Sequence, residues 1–176
     1  MTKGKLLLFC SVIVLAAGSA WAGSKHMKAG AELMDATGKP IGMATLTEQK
    51  DGVKVTVKVS GLKPGQHGFH IHENGTCTAP DFKSAGGHFN PFKKHHGIEN
   101  PEGKHAGDLP NLTVKEDGSA EASFVATGTT LGKGPGSLFK EGGTAIVIHA
   151  DPDDNKNDPA GNAGARVACG VVAKAK

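Results

Sequence analysis

A chain of 176 residues with 38% hydrophobic and 21% charged residues is sized for one globular domain with a single core. The formal net charge is only +3, aromatic residues make up 5% and tyrosine is absent, which excludes a lysine-rich nucleic-acid face interleaved with aromatics. Nine histidines remain as the chemically expressive residues.

The first expected element is an export signal. Lys3 and Lys5 precede an apolar run from Leu6 to Ala17, and Ala20-Trp21-Ala22 puts small residues where a signal peptidase reads. The run is too short to cross about 30 Å of hydrocarbon. Cys10 sits in its middle and not at its end, which does not fit a lipid-modified signal. Cleavage after Ala22 gives a signal peptide over 1–22 and a domain over 23–176. It also leaves 18 basic against 17 acidic side chains, a net of +1. The cysteines fall to two, Cys77 and Cys169, and in an oxidising space one disulfide is expected. His26, near the new N-terminus, carries no signal.

The domain reads as all-β. Strands are expected over Lys28–Met34, Ile41–Glu48, Val53–Ser60, Gln66–His72, Leu112–Val114, Ser119–Val125, Thr144–Ala150 and Arg166–Val172. The clearest is Val53–Ser60, which alternates apolar and polar residues as a strand between core and water must. Gly61 to Gly65 ends it with turn chemistry, and Lys115 to Gly118 reads as a tight connection. Eight short strands, 26 glycines and no long 3.6-residue periodicity predict an antiparallel sandwich or barrel with Greek-key connections, without repeats or a second domain. Two segments, Glu73 to Pro110 and Asp151 to Ala165, are too long for turns, and long loops in compact domains are usually functional.

Those loops and the neighbouring strands carry the histidines. His70 and His72 are two apart on a strand, so they project from one face and can share an ion. His67, at odd spacing, points to the other face and reads as a structural histidine. His149 ends the apolar strand Ala145 to Ile148. With His88, His96, His105 and Asp108 these residues fall into two sets with His88 in common: His70, His72, His88 and His149, and His88, His96, His105 and Asp108. Imidazole suits copper and zinc, and three histidines with one carboxylate suit tetrahedral zinc. His95 reads as solvated surface.

Four motifs, Gly68-Phe69-His70-Ile71-His72-Glu73, Gly86-Gly87-His88-Phe89-Asn90-Pro91, His105-Ala106-Gly107-Asp108 and Gly161-Asn162-Ala163-Gly164-Ala165-Arg166-Val167-Ala168-Cys169-Gly170, resemble the copper,zinc superoxide dismutases in order from about Lys28 to Val172. The resemblance implies an eight-stranded antiparallel Greek-key barrel with two long functional loops. It also implies dismutation of superoxide to dioxygen and hydrogen peroxide, with one copper and one zinc per chain. His70, His72, His88 and His149 match the copper ligands, and His88, His96, His105 and Asp108 match the zinc ligands. His88 then bridges the metals and takes part in catalysis. Cys77 and Cys169 match the family disulfide, and Arg166 matches the arginine that guides the anion. Asp153 resembles the carboxylate that links His70 to His96, with Asp151 and Asp154 as alternatives. Four residues between His72 and Cys77, together with the signal, resemble the exported bacterial branch, periplasmic in a Gram-negative source. Superoxide is then the small-molecule partner, with no nucleic acid and no membrane after cleavage. Monomer and homodimer stay open. Lys156 is a candidate for shaping the field at the channel mouth. The competing functions are a metal-buffering module without turnover, disfavoured because every ligand position is filled, and an adhesive sandwich, which leaves the histidine spacing unexplained.

Overall fold

The computed structural model describes Met1 and residues 27–175, so the rest of the expected export segment and His26 lie outside the described residues. The strands are β1 (Lys28–Asp35), β2 (Pro40–Gln49), β3 (Gly52–Val59), β4 (Gly65–His67), β5 (Phe69–His72), β6 (Leu112–Val114), β7 (Ala120–Thr127), β8 (Ala145–His149), β9 (Arg166–Val171) and β10 (Ala173–Lys174). All pairings between them are antiparallel. The main sheet runs β5-β8-β9-β1-β2-β3-β7, with β10 beside β1, and β4 pairs with β6 apart from it. This is the all-β Greek-key architecture expected from the sequence.

Alternation decides which residues build the core. In β3, Val53, Val55, Val57 and Val59 are buried while Lys58 is exposed. Each buried valine contributes about 1.5 to 3 kcal/mol of transfer free energy as an upper estimate. They meet Phe69 and Ile71 of β5 and Ile146 and Ile148 of β8 in one cluster.

The strand expected over Gln66–His72 is broken at Gly68. His67 pairs across to Leu112 of β6, whereas Phe69 pairs with Ile148 of β8. Between them the Gly68 N–H donates to Asp151 O at 2.8 Å, and its carbonyl accepts from His149 N at 2.8 Å. A Cβ at Gly68 would lie 2.7 Å from that of Ala163, so only glycine lets the chain change partners against the second long loop.

Every residue of β5 and β8 is buried, although an open antiparallel sheet leaves one face wet. The long loops supply the cover. Ala145 and Val147 face a second, smaller cluster with Phe82, Ala85 and Cys169, completed by Cys77. The disulfide joins Cys77 to Cys169 of β9 across 92 residues, as expected. A closed loop of that length is worth on the order of 4 to 5 kcal/mol in the chain-entropy account. Among the described residues no helix is long and apolar enough to cross a membrane.

Candidate metal centre

On β5 the core takes Phe69 and Ile71, so His70 and His72 face the covering loops, opposite Val147 and Ala145. His149 ends β8 on the same face, after a register shift between Ile148 and His149 that sets it opposite Arg166. The loop brings His88 beside His72 through an isolated antiparallel bridge. Glu73 fixes this approach, because its N–H donates to Gly87 O and its Oε1 accepts from Gly87 N, each at 2.9 Å.

The side chains converge as two sets, each with ligand atoms within 4.8 Å of one another: His70, His72, His88 and His149, and His88, His96, His105 and Asp108. All seven residues are buried. Hydrogen bonds away from the cluster assign the imidazole tautomers. His70 donates from Nε2 to Asp153 Oδ2 at 2.6 Å, leaving the Nδ1 lone pair for the four-histidine set. His72 donates from Nδ1 to Gly86 O at 3.0 Å and His149 from Nδ1 to Gly164 O at 3.3 Å. Their Nε2 atoms then face each other 3.3 Å apart. His96 donates from Nε2 to Asp153 Oδ1 at 3.0 Å and turns Nδ1 to Asp108.

Asp108 Oδ1 gathers the second set, with Nδ1 of His88, His96 and His105 at 2.8, 3.1 and 3.3 Å. Its Oδ2 accepts the backbone N–H groups of Gly97 and His105 at 2.9 and 3.0 Å. Burial alone would raise this carboxyl, but the close His105 ring and hydrogen bonds from His88, His96 and Gly97 hold it well below the usual carboxylate range. Burial pushes His88 down to about 4 and His149 down to about 3, with neighbouring histidines adding to the effect. Burial also opposes charge on His96, yet Asp108 and Asp153 override it and raise His96 to about 9. Burial likewise lowers His72, so His72, His88 and His149 are neutral imidazoles, whereas the other set is built around a firm anion.

Among the described residues, three buried side-chain atoms have no hydrogen-bond partner: His70 Nδ1, His88 Nε2 and His105 Nδ1. Buried polar atoms are rarely left so. All three belong to the two sets, and these orphaned lone pairs are the ones two cations would satisfy. The donor chemistry fits copper at four imidazoles and zinc at three imidazoles with a carboxylate.

Arg166 stands at the rim of the four-histidine set. Its guanidinium donates to Phe82 O at 2.7 Å and to Gly86 O at 2.5 Å, the latter being the carbonyl that also holds His72. It lines a cleft of about 500 Å³ with Asp81, Lys83 and Gly164.

The chain matches the copper/zinc superoxide dismutase (SODC) family model over residues 41–172. The chain belongs to the copper/zinc superoxide dismutase family. Superoxide dismutase [Cu-Zn] 2 of Aquifex aeolicus is 53% identical over 151 residues, covering 85% of this chain and 88% of the relative. Superoxide dismutase [Cu-Zn] of Caulobacter vibrioides is 46% identical over 139 residues, 77% of this chain and 79% of the relative. The crystal structure of a superoxide dismutase-like protein from Bacillus subtilis superposes with a TM-score of 0.78 at 41% identity, covering 81% of this chain and 96% of that one. As a member of the superoxide dismutase family of bacterial type, the chain is an enzyme that dismutes superoxide to dioxygen and hydrogen peroxide with one copper and one zinc.

The structure brings all seven expected ligand residues together. Asp153 touches both His70 and His96, whereas Asp151 is exposed and Asp154 caps its own loop through Asn157 and Asn162. His67 is a structural histidine, with its ring nitrogens 2.7 Å from Lys63 O and His149 O. Lys156 pairs with Glu99 at 3.1 Å, while Lys83 is the lysine lining the cleft at Arg166. His95 is exposed, as expected, and bonded to Asp158. Sequence reasoning missed Asn111, whose amide donates to Asp153 O and accepts from Asp153 N, both at 2.8 Å. It also missed the packing demand at Gly161, with φ of 60°, where any Cβ would collide with the Asp153 carboxylate. Asn111 was hidden by the 42 residues between it and Asp153, and the Gly161 contact by the way its loop folds back on itself.

Proposed function

We propose that His70, His72, His88 and His149 hold copper, that His88, His96, His105 and Asp108 hold zinc, and that Arg166 receives the substrate anion. The observation that carries this reading is the His88 ring, whose Nδ1 meets Asp108 while its orphaned Nε2 faces the other histidines. A carboxylate suits a closed zinc site, and the all-imidazole set lies beside the cleft where a substrate can enter. Copper, when bound, supplies the one-electron exchange that superoxide undergoes in each half of the reaction, and zinc supplies charge without redox chemistry.

The chain's own residues do the remaining work. Arg166, clamped by two carbonyls, offers a permanent cation beside the four-histidine set without having to reorganise. His88 Nε2 is the atom at which the chain can hold a proton for the departing peroxide, because its Nδ1 side is already fixed by the Asp108 set. Asp153 keeps the Nε2 protons of His70 and His96, so neither ring can turn its wrong nitrogen inward. The net chemistry joins two superoxide anions and two protons to give dioxygen and hydrogen peroxide.

Export belongs to the same reading: a signal over 1–22 directs a domain over 23–176 to an oxidising space outside the cytoplasm, the periplasm in a Gram-negative source. The Cys77–Cys169 disulfide supports that compartment. Metal analysis of two variants tests the ligand assignment. Asp108→Ala is expected to lose zinc selectivity and retain copper, whereas His149→Ala retains zinc and loses turnover. The opposite pattern of losses would reverse the two sites.

A further inference from the structure

His70, His72 and His149 are placed by strands, but His96 comes from a loop segment without regular structure. Something else must fix it. Both of its ring nitrogens are engaged, Nδ1 with Asp108 and Nε2 with Asp153. A third carboxylate holds its backbone: Asp158 Oδ1 accepts the His96 N–H at 2.6 Å, while Asp158 Oδ2 receives His95 Nδ1 at 2.5 Å. Asp158 stands 62 residues downstream of His96, in the second long loop. The same seam is closed on the other side of His96. Glu99 N donates to Asn155 O at 3.1 Å, and the Asn100 amide donates to His96 O at 3.0 Å.

We propose that Asp158, backed by His95, is a positioning residue for the zinc site, holding the His96 backbone so that the ring can meet Asp108 and Asp153 together. This rests on the reading of the carboxylate set as the zinc site. The His95–Asp158 pair alone would carry little, since the two side chains are 57% and 45% exposed and solvent screens their attraction. The bond to the His96 N–H differs, because it is charge-assisted and acts on a ligand with no strand beneath it. His95 then orients the carboxylate that makes this bond. Removing a group of this kind beside a metal ligand typically lowers metal affinity about 10- to 100-fold.

Cobalt(II) is the probe, because its visible bands report ligand geometry at a zinc site independently of turnover. It is titrated into the full chain loaded with copper and reduced so that copper does not absorb. Asp158→Ala is expected to weaken cobalt binding about tenfold and to shift the bands. Asp158→Asn keeps an oxygen for the His96 N–H and an amide for His95, so it restores the bands and most of the affinity. His95→Ala, which leaves the backbone bond in place, is expected to weaken binding by roughly threefold, less than loss of the carboxylate itself. It carries the comparison should Asp158→Ala fail to fold. Wild-type cobalt affinity and bands in Asp158→Ala, or in His95→Ala in that case, would overturn the proposal even if melting temperature fell. His96→Ala separates the two levels of the argument. If it binds cobalt as the wild type does, the zinc-site assignment fails and the proposal with it. If His96→Ala loses the site while Asp158→Ala keeps it, only the positioning role fails.

Discussion

Replacing Asp153 with asparagine should weaken copper more than zinc, for a reason visible in the hydrogen bonds. Asp153 Oδ1 accepts from Asn155 N at 2.7 Å and from His96 Nε2 at 3.0 Å, whereas Oδ2 accepts from His70 Nε2 alone, at 2.6 Å. An asparagine has one oxygen. The two donors at Oδ1 should retain it there, which places the NH2 group against the N–H of His70. That ring loses a charge-assisted bond worth about 1.5 to 3 kcal/mol and must shift or present its other tautomer. At 1.4 kcal/mol per factor of ten, copper affinity should fall about 10- to 100-fold, in the range found for groups that orient metal ligands. Zinc affinity should change by less than about threefold, since His96 keeps its acceptor. Chelator competition run separately for Cu(II) and Zn(II) measures both. Equal losses of the two metals, or loss of zinc alone, would refute the reasoning from acceptor count.

Two other perturbations probe charge. Arg166→Glu reverses a cation beside the four-histidine set without removing one of its members, so it should lower the second-order rate constant while copper affinity stays near wild type; steering of this kind is worth roughly 10- to 1,000-fold. Its salt dependence should weaken or invert, because a Debye length of about 8 Å at 0.15 M screens repulsion as readily as attraction. Parallel salt slopes and equal rates would return Arg166 to an ordinary surface charge. The chelated protein should be most stable near pH 6.5. His88 and His149, lowered to about 4 and 3, reject protons that the unfolded chain binds, so stability falls as pH drops below 6.5; His88 alone costs about 3 kcal/mol by pH 4. His96, raised to about 9, has the opposite sign and loses its contribution as pH rises from 6.5 through 9. Urea unfolding at pH 4.5, 6.5 and 9 checks this, and a steady rise across all three would contradict it.

Much of the site was legible because strand periodicity and ligand chemistry act locally. The two-residue spacing of His70 and His72 puts both on the loop face of β5, and the alternating valines of β3 name their own core face. The break at Gly68 was hidden, since Gln66 to His72 continues as one strand by pattern, and only the close pass of Ala163 forces the change of partner. His95 is exposed, as its sequence reading has it, and what the sequence hid is its bond to Asp158, 63 residues away. Asn111 was silent for the same reason: its two bonds to Asp153 are tertiary contacts between segments with no shared pattern. Lys156, the sequence candidate for the channel mouth, pairs with Glu99, whereas Lys83 lines the cleft at Arg166.

The most direct test of the account is superoxide decay followed by pulse radiolysis on protein whose copper and zinc are counted in the same sample. Samples are prepared with copper occupancy varied at full zinc, and then with zinc varied at full copper. One ion of each metal per chain is expected at saturation. The wild-type rate should rise in proportion to copper and vanish without it, and copper-exposed His149→Ala should show no such rise. A single metal ion per chain at saturation, or full activity in His149→Ala, would contradict it.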